Sequence, residues 1–209
     1  LGPGSLPGID PLPRRPRSGV YPGSFNPPTT AHLAIAEAAR DAHRLDRVVL
    51  SVSVSALAKG DVAHPRFEHR VEVLEEAVDS MDWLSVRVTE AQLLADIAQG
   101  FDVLIVGADK WWQIQDPSWY GGDPAARDEA MGRLPPVAVV PRDGLETPPE
   151  RTLAVPAERT AGVSSTQARA GDLDLMLPAA RAFARRSGAW IDPDRYDRWL
   201  ADPSPSSAG

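Results

Sequence analysis

Phe101-Asp102-Val103-Leu104-Ile105-Val106, FDVLIV, runs straight into Gly107-Ala108-Asp109. A short run that is apolar at nearly every position is what a strand needs when both of its faces are buried, as at the centre of a parallel sheet covered by helices. Upstream of it, residues 20–25 read as a first strand and residues 30–42 as an Ala-rich helix. Residues 47–54 (RVVLSVSV) read as a second strand. In residues 66–80, Val71, Leu74, Ala77 and Val78 recur at helical spacing. Residues 84–88 are a third strand, with a short helix expected over 90–99. Downstream, residues 137–140 are a fifth strand, and a short sixth is expected at 152–155. Alternation of this kind implies right-handed strand–helix–strand crossovers. The expected fold class is therefore α/β, a doubly wound, mainly parallel sheet with helices on both faces and a small C-terminal helical part.

The chain has 209 residues, 22 Lys and Arg against 29 Asp and Glu, a net charge of −7 and no cysteine. The acidic balance argues against a nucleic-acid or anionic-membrane partner, though one local pocket can still take an anion. Without cysteine there is no disulfide framework, no thiolate metal site and no thiol nucleophile. No apolar run approaches the roughly 18 residues of a membrane span, and a cytoplasmic location is the default expectation. Residues 1–18 lack periodicity, start without Met and open like an expression-vector remnant, so they are read as a tail, with Arg14, Arg15 and Arg17 solvated. Residues 202–209 (DPSPSSAG) are read as a second tail. One domain is expected over residues 19–201.

In a doubly wound sheet the ligand lies beyond the carboxyl ends of the strands, at the switch in strand order. Three segments fall there or open a helix. The first is Gly23-Ser24-Phe25-Asn26-Pro27-Pro28-Thr29-Thr30-Ala31-His32. Gly23 and Ser24 let backbone approach a bulky anion, and Pro27 with Pro28 fixes the turn. Thr29 or Thr30 can cap the following helix, which puts His32 in its first turn, where N–H groups and the helix dipole favour phosphate. The second is Gly107-Ala108-Asp109, where a strand-end carboxylate can accept from ribose hydroxyls or simply cap a helix. The third is Val163-Ser164-Ser165-Thr166-Gln167-Ala168-Arg169. There Ser164 or Ser165 can cap a short helix, and Arg169 lies on the same face as Ser165. Trp111, Trp112 and Trp119 offer flat surfaces for stacking or for the core.

Taken together in this order, GSFNPPTTAH, GAD and SSTxxR resemble the nucleotidyltransferase superfamily. More narrowly, they resemble the adenylyltransferases that act on nicotinate or nicotinamide mononucleotide. The resemblance spans Gly23 to Arg169 and implies a Rossmann-like nucleotidyltransferase fold, MgATP as substrate with Mg²⁺ as cofactor, and a pyridine mononucleotide as acceptor. It implies catalytic roles for His32 and Arg169. Nucleotide contacts would come from Gly23, Ser24, Phe25, Asn26, Thr29, Gly107, Asp109, Ser164, Ser165 and Thr166. Acceptor contacts would come from Trp119, with Trp112 second, and from Lys59 in the loop after the second strand.

Several features depart from the family pattern. Thr29 stands where many members have a first histidine. The family's Pro-Pro-His-Lys order is absent around Lys59, and residues 116–133 are rich in Gly, Pro and Asp. After Arg169 the chain passes quickly to Leu175 and Pro178. Val20-Tyr21-Pro22-Gly23 also looks like the start of phosphopantetheine adenylyltransferases, so that acceptor stays open. So does a diverged nucleotide-binding module with little turnover. His43, His64 and His69 form no pattern, and a transition-metal site held by the protein is not expected. No P-loop, GxGxxG or GxSxG sequence occurs, which disfavours P-loop ATPases, dinucleotide dehydrogenases and serine hydrolases. A homo-oligomer is possible.

Overall fold

The computed structural model describes residues 14–54, 64–142 and 144–201. Its elements in chain order are β1 (Ser18–Pro22), α1 (Thr30–His43), β2 (Arg47–Ser53), α2 (Phe67–Val78), β3 (Leu84–Thr89), α3 (Leu94–Ile97), β4 (Val103–Gly107) and α4 (Ala108–Gln113). There follow a 3-10 turn (Pro117–Tyr120), α5 (Pro124–Gly132), β5 (Val137–Val140), α6 (Ala157–Thr160), α7 (Ser165–Arg169), α8 (Pro178–Ser187) and α9 (Pro193–Ala201). The strands form one all-parallel sheet in the order β3-β2-β1-β4-β5. Strand order reverses between β1 and β4, so a crevice opens at their carboxyl ends.

The two-sided burial inferred from FDVLIV is visible residue by residue. Val103 and Ile105 of β4 pack with Tyr21, Leu50, Val52 and Ile35 on one face. Leu104 and Val106 pack with Val20, Val137, Val139 and Trp111 on the other. Because side chains alternate along a strand, only a strand covered on both sides needs every position apolar. A third cluster joins Val73 of α2 to Phe183, Trp190 and Tyr196, so the expected C-terminal helical part is α8 and α9 docked on α2.

Three expectations need correction. Residues 152–155 make no strand: Thr152 forms only an isolated parallel bridge to Val139, and Leu153 N–H donates to the Val139 carbonyl (2.8 Å). The helix expected over 90–99 shrinks to α3. Thr89 Oγ1 accepts from Ala91 N–H (3.1 Å) and Ser53 Oγ donates to the Ala91 carbonyl (2.9 Å), which holds that stretch out of helical geometry. Finally, residues 14–18 are seated on the domain. Asp46 accepts from Arg17 N–H (2.6 Å) and pairs with Arg14 (2.8 Å), and Asp102 accepts from Ser18 N–H (2.8 Å) and pairs with Arg15 (2.5 Å). Ser18 begins β1.

The Gly- and Pro-rich segment of residues 116–133 is built on Asp-Pro starts. Asp116 accepts from Ser118 N–H (2.9 Å) ahead of Pro117, and Asp123 accepts from Ala125 N–H (2.8 Å) ahead of Pro124. The carboxylate caps the first turn, and proline occupies a position whose N–H would have no helical partner.

Candidate active site

β1 delivers the loop Gly23–Pro28 to the mouth of the crevice. Phe25 has φ 42°, a left-handed conformation uncommon for a residue with a side chain. Its buried ring folds back beneath Gly23, where an added Cβ would lie 2.9 Å from Phe25 Cζ. Glycine is needed at that position for space.

Carbonyl groups of the same loop are taken up one after another by the C-terminal part of the chain. Arg169 Nη1 donates to the Asn26 carbonyl, Ser165 Oγ to that of Pro27 (2.9 Å), and Leu177 N–H to that of Pro28 (3.0 Å). Trp190 Nε1 donates to Asn26 Oδ1 (2.6 Å) in the interior. The first and third segments singled out in the sequence, some 140 residues apart, are thus hydrogen-bonded to each other.

Thr29 is the N-cap of α1 and is buried. Its backbone N–H donates to His32 Nδ1 (2.9 Å), and its Oγ1 lies at the same distance. This is a capping box in which histidine replaces the usual Glu or Gln. With Nδ1 accepting, the neutral ring carries its proton on Nε2. The partly buried ring packs edge-on against Phe25 (centroids 5.1 Å) and beside Tyr21 (6.2 Å). Burial first, and the Arg142 charge second, lower its pKa from 6.5 to about 4. Protonation at Nδ1 would also set two N–H groups against each other. Burial pushes the Tyr21 hydroxyl up to about 12, with Arg142 opposing and Asp109 adding to the rise.

Gly107 caps α4, and Asp109 stands in that helix's first turn, half exposed. Arg142, two residues beyond β5, reaches back so that its Nε is 3.9 Å from Asp109 Oδ1. An added Cβ on Gly107 would fall 2.4 Å from Asp109 Oδ1 and 3.3 Å from Arg142 Nε. Arg142 was missed in the sequence, where it reads as a polar residue in a loop. In α7, Ser164 is the cap and accepts from Gln167 N–H (3.1 Å), while exposed Arg169 also donates to Thr166 Oγ1 (3.2 Å).

The tryptophans divide. Trp111 is core, with the Arg151 guanidinium 4.9 Å over its ring. Trp112 is 45% exposed, with its indole N–H fixed to the Glu146 carbonyl (2.7 Å). Trp119 lies half-buried in the 3-10 turn. Lys59 lies outside the described residues. Ser24 is partly exposed at the mouth, whereas Asn26 and Ser165 have side-chain oxygens engaged in holding the loop. His64 and His69 acquire partners across the fold: His64 Nε2 meets Asp197 Oδ1 (2.9 Å), and His69 Nδ1 meets Tyr196 Oη (2.5 Å).

A hollow of about 540 Å³ beside Glu37, Arg40, Trp83 and Arg159 adjoins the C-terminal half of α1. None of the three segments lines it. Among the described residues, no group of three or more His, Asp or Glu converges as a metal site, and no helix is long and apolar enough to cross a membrane.

A family model described as cytidylyltransferase-like matches residues 20–171, nearly three quarters of the chain. A probable nicotinate-nucleotide adenylyltransferase of Citrifermentans bemidjiense is 44% identical over 62 residues, 30% of this chain and 29% of that protein. One of Chlorobaculum parvum is 38% identical over 66 residues, 32% of this chain and 33% of that protein. A phosphopantetheine adenylyltransferase of Rhodospirillum rubrum is 38% identical over 96 residues, 44% of this chain and 53% of that protein. The alignments thus span about a third of the first two relatives and about half of the last.

Proposed function

We propose, for a chain that belongs to the cytidylyltransferase-like family of nucleotidyltransferases, the transfer of an adenylyl group from ATP to the phosphate of a small acceptor. An acceptor phosphate oxygen attacks the α-phosphorus in line, the bond to the bridging oxygen breaks, and pyrophosphate leaves. The observation that carries this reading is the hydrogen-bonded junction of Asn26–Pro28 with Ser165 and Arg169 at the crevice mouth.

In-line phosphoryl transfer asks a protein mainly for positioning and charge stabilisation. His32, neutral at pH 7, donates from Nε2 to the oxygens that gain charge at the α-phosphorus. The first-turn N–H groups of α1, with Gly23 and Ser24, follow the triphosphate path. Arg169, with Ser164 and Thr166, holds the outer phosphates, and Asp109 accepts from ribose hydroxyls. Thr29, Asn26 and Ser165 act through other groups: Thr29 orients His32, and the other two hold the loop. Mg²⁺ bound to phosphate oxygens supplies charge neutralisation and arrives with the nucleotide, the usual habit of an ion that keeps several waters.

For the acceptor we favour a pyridine mononucleotide, nicotinate or nicotinamide, stacked on Trp119 or on the fixed indole of Trp112. The relatives named for nicotinate nucleotide support this choice. Phosphopantetheine is the second reading, favoured by the longer alignments with proteins named for it. The test is pyrophosphate release from MgATP with each of the three acceptors. Release with one pyridine mononucleotide, lost in His32→Ala, is expected. Release with phosphopantetheine alone would transfer the assignment, and ATP binding without release would leave a nucleotide-binding module.

A further inference from the structure

Arg142 belongs to none of the three sequence segments, yet its side chain lies over the switch in strand order. It leaves the chain beyond β5, the outermost strand on that side, and crosses back over the carboxyl end of β4. Its Nε would be only 3.3 Å from a Cβ on Gly107. From there its charge reaches the Tyr21 hydroxyl at the end of β1 and the His32 ring in the first turn of α1. The guanidinium therefore lies at the carboxyl end of β4, beside Gly107 and Asp109, at the switch in strand order.

The backbone that carries it is held. Arg142 bridges Leu145, whose N–H donates back to the Arg142 carbonyl (3.0 Å), and the next residue, Glu146, is tied to Trp112 of α4. The head group is held only weakly. Its 3.9 Å approach to Asp109 is longer than a hydrogen bond, and both side chains are about half exposed (50% and 58%), a combination of little energetic weight. A nucleotide whose ribose hydroxyls engage Asp109 would therefore displace the guanidinium at small cost and leave its donors available. The site also has a charge requirement. His32 is neutral at pH 7 because burial depresses its protonation, so a polyphosphate needs fixed cations from elsewhere.

From this arrangement we propose that Arg142 is a phosphate-contacting residue of the crevice, a second guanidinium in addition to Arg169, resting over Gly107 near Asp109 and free to turn to a nucleotide. Guanidinium groups suit this task because their planar fork matches phosphoryl oxygens in a bidentate fashion. The proposal rests on the phosphoryl-transfer reading above, but its test does not need turnover.

The whole chain, with Arg142→Ala and Arg142→Lys variants, would be titrated calorimetrically with tripolyphosphate, ATP and adenosine, after thermal melts confirm that each variant is folded. Arg142→Ala is expected to weaken tripolyphosphate and ATP roughly 10- to 100-fold, the range for a lost charge-assisted contact, and to leave adenosine within about 2-fold. Arg142→Lys should recover much of the loss. Unchanged tripolyphosphate affinity in Arg142→Ala would overturn the proposal, as would an equal loss for adenosine. Failure of the parent to bind tripolyphosphate would overturn both the proposal and the reading beneath it. Tripolyphosphate binding that depends on Arg142, without release of pyrophosphate for any acceptor, would remove the adenylyl-transfer reading alone.

Discussion

Replacing His32 with Gln separates its titration from its structural role. A glutamine at that position of the capping box can still accept from Thr29 N–H, so the start of α1 should persist. The parent ring has its pKa lowered from 6.5 to about 4, by burial first and Arg142 second. Between those values the unfolded chain binds a proton that the folded chain does not. The stability this contributes is fully present above about pH 6.5 and is lost as the pH falls toward 4. From the two pKa values, moving from about pH 7.5 to about pH 4.5 costs about 2.5 kcal/mol, and partial exposure of the ring brings the expectation to about 2 kcal/mol. Asp46 and Asp102, held below the usual 3.8 by the backbone N–H groups of Arg17 and Ser18, are the same in both proteins and cancel in the comparison. Urea unfolding followed by tryptophan fluorescence at the two pH values measures the effect directly, given the six tryptophans. Over that pH change His32→Gln should lose about 2 kcal/mol less than the parent. A difference below about 0.5 kcal/mol would refute the picture of a neutral, desolvated imidazole held by Thr29.

Trp190→Phe removes the only donor that the fold supplies to Asn26 Oδ1 among the described residues. A buried acceptor left unpaired costs about 1–3 kcal/mol, and the smaller ring adds a void, so a loss of about 2–4 kcal/mol in denaturant titration is expected. A loss under about 1 kcal/mol would mean that the junction between the loop and the C-terminal helices is not what holds Asn26. In Gly23→Ala the new Cβ meets the buried Phe25 ring at 2.9 Å. Overpacking of about 1–3 kcal/mol corresponds to a fall of roughly 2–10 °C in Tm for a chain of this size. An unchanged Tm would show that Phe25 yields at no cost.

The segments legible in the sequence are those whose logic is local. FDVLIV announces a two-faced strand because alternation places successive residues on opposite sides. Ser164 announces a cap because the N–H it binds is only three residues away. The Asp-Pro starts at Asp116 and Asp123 are equally local, as is the Thr29–His32 box, in which histidine stands in for glutamate. Thr152 misled because β-branched residues favour strands, while only one backbone bond to Val139 was on offer. His64 and His69 were opaque for a different reason. Their partners Asp197 and Tyr196 lie 133 and 127 residues away, and nothing near them in the chain indicates the pairing.

The sequence by itself determined the five strands of the sheet and the capped helix starts, because burial periodicity, proline geometry and capping act over a few residues. Which side chains remain available for chemistry was decided only in the tertiary structure. Asn26 and Ser165 sit in sequence motifs that resemble nucleotide contacts, yet close packing of the C-terminal part on the loop engages their oxygens internally. Arg142 has no motif at all, and crossing back over β4 places its charge beside Asp109, where its field is felt by Tyr21 and His32. A charge acts through space, and only the folded chain fixes which residues lie within its reach.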